Sequence, residues 1–164
     1  MTDRVHEGGC GCGYVRYRVE GEPIFVNNCH CRLCQQQTGS TSVVNAFFET
    51  ERLTLVKGTL ADHTVTTGSG GAHVIRRCTQ CGTAVWSHYP RLGALGAGLR
   101  VGTLDEPGAC TPDAVIFTTS KMPWVALPDD IPGFETTYNP FELLPPERSA
   151  RLQALINRRA AGEV

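Results

Sequence analysis

The chain has 164 residues with 15 Lys and Arg, 16 Asp and Glu and a net charge of −1, which suits one domain with a real core. That balance excludes the many cationic phosphate contacts of non-specific nucleic-acid binding. The 18 glycines and 10 prolines point to many turns and short strands rather than a helix bundle.

The first nine residues lack the apolar stretch of a secretory signal, and no apolar run approaches the ~20 residues of a membrane span. Eight cysteines in such a chain read as metal ligands more readily than as disulfides, and the expected compartment is the cytoplasm. Gly8 to Gly13 then brings Cys10 and Cys12 within a glycine-rich turn. Val15, Tyr17 and Val19 alternate with Arg16 and Arg18, the pattern of a half-buried strand. After a turn at Gly21-Glu22-Pro23, Ile24-Phe25-Val26 is expected as a second strand leading into Cys29-His30-Cys31-Arg32-Leu33-Cys34. In extended chain Cys29 and Cys31 share a face and His30 takes the other, towards solvent or as a neighbour to the ligands. A turn after Cys31 returns Cys34 to the same point.

Thr41–Phe48 and Arg52–Val56 read as strands. The segments 63–67 and 72–76 flank Gly68-Ser69-Gly70-Gly71 as a hairpin. The second of these runs into Cys78-Thr79-Gln80-Cys81-Gly82, and Thr83–Trp86 leaves it as another strand. Leu99–Asp105 and Val115–Thr119 complete the expected strands. From Lys121 to Pro146 the sequence is Pro-rich and irregular, with Trp124 and Phe134 expected as anchors over the core. Pro145-Pro146 opens a helix at about 147–160, whose Leu152, Leu155 and Ile156 form one apolar stripe.

Cys78-x-x-Cys81-Gly82 has the form of a zinc knuckle and needs a second pair to close a tetrahedron. Cys10 and Cys12 supply one, giving a closed, structural four-thiolate site. Pairing Cys10 and Cys12 with the Cys29 cluster instead would leave Cys78 and Cys81 as a free dithiol. A thioredoxin-like dithiol should open a helix, whereas β-like sequence flanks this one on both sides. Cys29, Cys31 and Cys34 then form an open three-thiolate site, unless His30, His63, His73, His88 or Cys110 closes it. Three thiolates leave a bound zinc a poor acidifier of water and favour a soft fourth ligand, such as a small thiol ionised on binding. Thr38, Gly39 and Ser40 would line the mouth of that site with hydroxyl and N–H groups. Cys110 has no partner in its Pro/Gly/Asp-rich loop and is taken as a free thiol.

In order along residues 6–135, Gly9-Cys10-x-Cys12-Gly13, Cys29-His30-Cys31-x-x-Cys34-x-x-x-Thr38-Gly39-Ser40, Arg77-Cys78-x-x-Cys81-Gly82-Thr83, Gly102-Thr103-Leu104-Asp105 and Pro123-Trp124 resemble the glutathione-dependent formaldehyde-activating enzyme family, also called the centromere-protein-V domain. The resemblance implies a mainly β, antiparallel β-tent fold like that of methionine sulfoxide reductase B, over residues 6–135, with 136–164 as an extension carrying the helix. It implies two zinc ions: a structural one on Cys10, Cys12, Cys78 and Cys81, and a catalytic one on Cys29, Cys31 and Cys34. It also implies a carbon–sulfur lyase that joins glutathione to a small aldehyde, formaldehyde in the named enzyme, giving S-(hydroxymethyl)glutathione. His30 and Thr38 are candidate helpers, and Thr38, Gly39 and Ser40 candidate glutathione contacts. A homo-oligomer is compatible with the sequence, while a membrane or nucleic-acid partner is not expected. Two other readings remain at this stage: a non-catalytic zinc-stabilised binding module that uses the C-terminal helix, and a β-tent redox enzyme that uses Cys110.

Overall fold

A computed structural model describes residues 4–67 and 70–164. The protein is mainly β. Ten strands run in chain order: β1 (Val5–Gly9), β2 (Arg16–Glu20), β3 (Phe25–Cys29), β4 (Val43–Glu49), β5 (Leu53–Lys57), β6 (Leu60–Thr66), β7 (Ala72–Cys78), β8 (Ala84–His88), β9 (Gly96–Arg100) and β10 (Ala114–Ile116). Three helices join them, α1 (Arg32–Thr38), α2 (Pro140–Leu143) and α3 (Pro146–Ala160).

The strands form two sheets, β1-β2-β5 and β10-β3-β4-β9-β8-β7-β6. Every pairing between these strands is antiparallel except β10 with β3, where Ala114 stands against Asn27. The alternation read in β2 sends Val15, Tyr17 and Val19 inward, where they pack on Val26, Ala46, Phe48, Trp86 and Leu99 of the larger sheet. The approach is close at Gly8, where a Cβ would lie 2.3 Å from the Tyr17 hydroxyl oxygen, so only glycine fits there. That hydroxyl is itself 2.8 Å from Thr103 Oγ1.

β6 and β7 form the expected hairpin, while Gly68 and Ser69 of its turn lie outside the described residues. Five expectations need correction. The strand expected at Leu99–Asp105 lies at Gly96–Arg100, because the chain winds into a 3₁₀ turn at Val101–Thr103, with Thr103 Oγ1 donating to the Arg100 carbonyl. The strand expected through Thr119 stops at Ile116, since Phe117 takes the left-handed conformation at φ 57°. The turn after Cys31 is the helix α1, and the four-residue α2 interrupts the irregular tail; both are too short to show a periodic stripe. Trp124 is 75% exposed and anchors nothing, whereas Phe134 is partly buried and stacks on Tyr138 with ring centroids 4.8 Å apart.

The C-terminal helix docks by its own apolar stripe. Leu152 and Leu155 are buried with Ile24, Leu92, Leu95 and Leu144, and Ile156 packs beside them. Two bidentate ion pairs fasten its polar side, Arg148 to Asp113 and Arg151 to Glu49. Burial alone would push the Glu49 carboxyl up, but Arg151, a backbone N–H and Arg52 hold it below the ordinary carboxylate range. This helix therefore has no spare apolar face for a partner. Leu152→Ala should lower stability by about 2–5 kcal/mol, the range for a buried leucine truncated to alanine. Urea denaturation checks it, and an unchanged midpoint would mean the helix contributes nothing to the core.

Candidate metal centres

Two of the hairpin turns carry the first cysteine cluster. The β1–β2 turn holds Cys10 and Cys12, and the β7–β8 turn holds Cys78 and Cys81. Each pair is followed by a glycine in left-handed conformation, Gly13 at φ 76° and Gly82 at φ 74°, which closes the turn around the sulfurs. The four sulfurs lie within 4.8 Å of one another, with Cys10 to Cys12 at 3.4 Å and Cys12 to Cys78 at 4.0 Å. Tetrahedral zinc with sulfur at about 2.3 Å sets its ligand sulfurs about 3.8 Å apart, so the spacing fits. Backbone N–H groups of Val15 and Gln80 point at the sulfurs of Cys10 and Cys78, at 3.2 and 3.4 Å. Such donors favour thiolates over thiols.

The second cluster is built at the end of β3 and the start of α1. Cys29 closes the strand, Cys31 caps the helix and Cys34 sits in its first turn. The Cys31 sulfur accepts the Cys34 N–H at 3.4 Å, so one residue both caps the helix and faces the other two thiols. The three sulfurs again lie within 4.8 Å of one another, and among the described residues no histidine, carboxylate or further thiol joins them. Hydrogen bonds from Cys29 and Cys34 hold Cys31 far below the ordinary thiol range, while the same contacts, with burial, push Cys29 up. A soft cation fits that donor set. None of the eight cysteines is in a disulfide.

His30 is 1% exposed, so of its two expected settings it does not take the solvent-facing one. Neither ring nitrogen has a protein partner, and burial holds its pKa below the usual value. Thr38 Oγ1 donates to the Cys34 carbonyl at 2.9 Å and accepts the Ser40 N–H at 3.3 Å, while the Gly39 N–H closes α1 on the Gln35 carbonyl at 2.8 Å. These groups shape the helix end next to Cys34. Cys110 is 4% exposed, stands apart from both clusters, and has its thiol pushed up by burial. A nucleophilic cysteine needs the opposite shift, which removes the support for a redox role.

The structure also assembles residues that the sequence reading did not single out. Buried Gln35 donates to the carbonyls of His30 and Ser120, at 2.7 and 2.8 Å, and ties α1 to the sheet. Phe117, Phe134 and Tyr138 pack against the buried cluster of Cys29, Cys34, Val43, Ala114 and Ile116. The bulky Phe117 at φ 57° is strained backbone beside that site. On the neighbouring strands Arg100 is buried, with its guanidinium donating to Asn45 Oδ1 and, at 3.1 Å, to Ser87 Oγ. His73 stacks on Tyr89 at 4.2 Å, and burial brings its pKa down to about 4. One signal for this group was present in the sequence: Asn45 interrupts an otherwise apolar strand between Val43 and Phe48.

A cavity of about 800 Å³ is lined by residues of α1 and of the β7–β8 turn. Gln37 and Thr38 of α1 form one side, Cys81 and Gly82 another, and Arg77 and Arg100 also line it. Cys29, Cys31 and Cys34 of the second cluster are not among its lining residues.

The fold and the site define a two-sheet β protein with one four-thiol and one three-thiol cluster, each of which could hold a metal ion. The particular family follows from comparison: the model of the family described as glutathione-dependent formaldehyde-activating enzyme matches residues 5–120, well over half of the chain, and the chain belongs to that family. A Halomonas elongata protein named "Putative glutathione-dependent formaldehyde-activating enzyme" is 33% identical over 95 residues, covering 52% of this chain. This chain spans 57% of the length of that relative. A crystal structure of a Rhodobacter sphaeroides protein aligns with a TM-score of 0.46 at 22% identity, over 60% of this chain and 87% of that one. Among the described residues no helix is long and apolar enough to cross a membrane.

Proposed function

We propose that this protein is a zinc-dependent carbon–sulfur lyase or synthase acting on the adduct of a small aldehyde with glutathione or another small thiol, similar to S-(hydroxymethyl)glutathione synthase. The observation that carries the reading is the contrast between the two clusters. One offers four sulfurs, a closed set suited to a structural ion. The other offers three and leaves a fourth position free of protein ligands among the described residues. Family membership and the Halomonas elongata relative support glutathione and formaldehyde as the reactants. Residues 6–135 are assigned to the zinc-binding unit and 136–164 to the extension.

In this reading Cys29, Cys31 and Cys34 hold the second zinc. Zinc bound there would supply a soft Lewis-acid position at which a thiol ionises near neutral pH. In the reaction the sulfur of the thiol bonds to the aldehyde carbon, the carbonyl π bond opens, and the oxygen takes up the proton that the thiol lost. The chain supplies position and exclusion of water. Phe117, Phe134 and Tyr138 pack on the apolar cluster that holds Cys29 and Cys34. Gln35 fixes α1 so that Cys34 stays aimed at Cys29 and Cys31. Thr38, Gly39 and Ser40 form the rim where glutathione would enter, and Thr38 reaches the cavity wall. His30 lies buried between the ligands Cys29 and Cys31 in the chain, and burial holds its pKa below the usual value.

Native mass spectrometry with and without glutathione tests the reading. The expected result is two zinc ions per chain and a further glutathione-sized mass increase, together with formation of S-(hydroxymethyl)glutathione faster than the spontaneous rate. Two zinc ions with no thiol adduct, and no change in the spectrum of the cobalt-substituted protein on adding glutathione, would reject it.

A further inference from the structure

The two sheets end in strands β10 and β6 and in strands β1 and β5, and three of these edges are protected. The segment 132–136 covers β10: the Val115 N–H donates to the Pro132 carbonyl at 2.9 Å, the Phe134 N–H to the Val115 carbonyl at 2.8 Å and the Phe117 N–H to the Thr136 carbonyl at 2.8 Å. At β1 the Asp105 N–H donates to the Glu7 carbonyl at 2.9 Å, and Gly8 bridges to Leu104. β5 has five residues, and a bulge at Val56 interrupts its ladder with β2. Covered, short or bulged edges resist pairing with another chain. β6 is different. It pairs with β7 without interruption from Leu60 to Thr66 and holds no proline, lysine or arginine. Its acid, Asp62, is held by Arg76 at 2.7 Å.

Two bonds at the ends of the β6–β7 hairpin fix the phase of this edge. The Thr67 N–H donates to the Gly71 carbonyl at 2.9 Å, and the Thr79 N–H to the Thr59 carbonyl at 3.2 Å. In an antiparallel ladder, residues that bond to one neighbour alternate with residues whose N–H and C=O point the other way. Ala61, His63 and Val65 therefore bond towards β7, while Leu60, Asp62, Thr64 and Thr66 turn their backbone groups outward. Among the described residues no backbone group takes up that outward row. The side chains of Asp62, His63, Thr64 and Thr66 are exposed along it.

We propose that β6 is a dimer interface, pairing antiparallel with β6 of a second copy of this chain and joining two seven-stranded sheets into one. A two-fold axis normal to the sheet keeps each residue on its own face, so only residues of the same parity meet. The register that uses the whole strand puts the axis at His63, with Leu60 opposite Thr66 and Asp62 opposite Thr64. Every outward N–H then meets an outward C=O, and no carboxylate faces another. An axis at Asp62 would oppose two carboxylates, and an axis at Thr64 would leave Leu60 unpaired. A second copy is the occupant because the row is complementary to itself and the pairing closes. Pairing of β6 with β5 of another copy would run head to tail and stay open. The interface is independent of the thiol chemistry proposed above.

Sedimentation equilibrium of the zinc-loaded full chain tests it, and a reversible monomer–dimer equilibrium is expected. Thr64→Pro removes an outward N–H and no bond to β7, and proline is tolerated on an edge strand. His63→Lys sets two cations face to face on the axis, at an exposed position. Each variant should raise the dimer dissociation constant about tenfold or more, the scale of one hydrogen bond left unmade. Cross-linking reads the register. Facing residues of a non-hydrogen-bonded pair have Cα atoms about 4.5 Å apart, within reach of a disulfide. With oxidised glutathione as oxidant, His63→Cys should give a disulfide-linked dimer. Thr66→Cys, about 20 Å from its symmetry mate, should not. If Thr64→Pro fails to fold, His63→Lys and the cross-link decide. A chain that stays monomeric at about 1 mM, a dimer that His63→Lys leaves intact, or cross-linking at Thr66 equal to that at His63 would each overturn the proposal.

Discussion

Cys78→Ser is expected to abolish cooperative folding at ordinary temperature. Cys78 is 3% exposed, ends β7, and with Cys81 faces the Cys10–Cys12 turn of the other sheet. The four-sulfur knot thus cross-links residues 10–81 across both sheets, the kind of long loop whose closure contributes most in principle. Structural zinc is worth about 10–16 kcal/mol in small zinc domains. A whole domain is stable by only about 5–15 kcal/mol. Removing one ligand therefore removes a contribution as large as the total. Circular dichroism during heating, with zinc content measured on the same sample, checks this. A variant that melts like the wild type while holding one zinc fewer would show that the knot does not hold the fold.

Cys31→Ser should do the reverse: the fold stays, while the second zinc and the catalytic activity go. The physical reason lies in the position of Cys31. It caps α1 through its side chain, and serine is one of the best residues at a helix N-cap, so the cap survives the change. Its sulfur is only half-buried, so little core packing is lost. The hydroxyl is a poor substitute for the thiolate, and two remaining cysteines cannot hold the ion tightly. The expected outcome is one zinc per chain, no rate above the spontaneous reaction, and a melting temperature within about 4 °C of wild type, the shift 1 kcal/mol gives in a chain of this size. If Cys31→Ser unfolds as Cys78→Ser does, both clusters are structural and the division of roles fails. The pair of variants is informative because the chemical change is the same in both.

These outcomes also bear on the alternative readings. A binding module built on the C-terminal helix needs a free apolar face, and α3 spends its stripe on Leu92, Leu95 and Leu144. Its arginines are engaged in turn: Arg148 with Asp113, Arg151 with Glu49, and Arg158 with Glu51 and Glu163. A redox enzyme built on Cys110 needs an accessible, acidified thiol, and burial pushes this one the other way.

Much of the protein was legible in the residues themselves. Cysteine spacing followed by glycine specifies a knuckle locally, because the positive φ at Gly13 and Gly82 is a property of a few consecutive residues. Strict alternation in β2 names its buried face without reference to any partner. The apolar stripe of α3 does the same for the helix. What the sequence by itself determined was thus the mainly β class, the two cysteine groups and the docked helix, each set by short-range covalent geometry and periodicity.

Only the tertiary structure decided the rest. Arg77 and Arg100 lie on two strands with β8 between them, and no local pattern relates them. The exposure of Trp124 and the burial of His30 depend on what the loops cover, not on residue type. The seven-residue α1 carries no periodic stripe and exists because Cys31 caps it, Gly39 ends it and Gln35 ties it to the sheet. Which thiols meet could be argued from spacing. What surrounds them, including Arg77 and Arg100 and the cavity they line, is set by long-range packing of chain segments that no short-range rule connects.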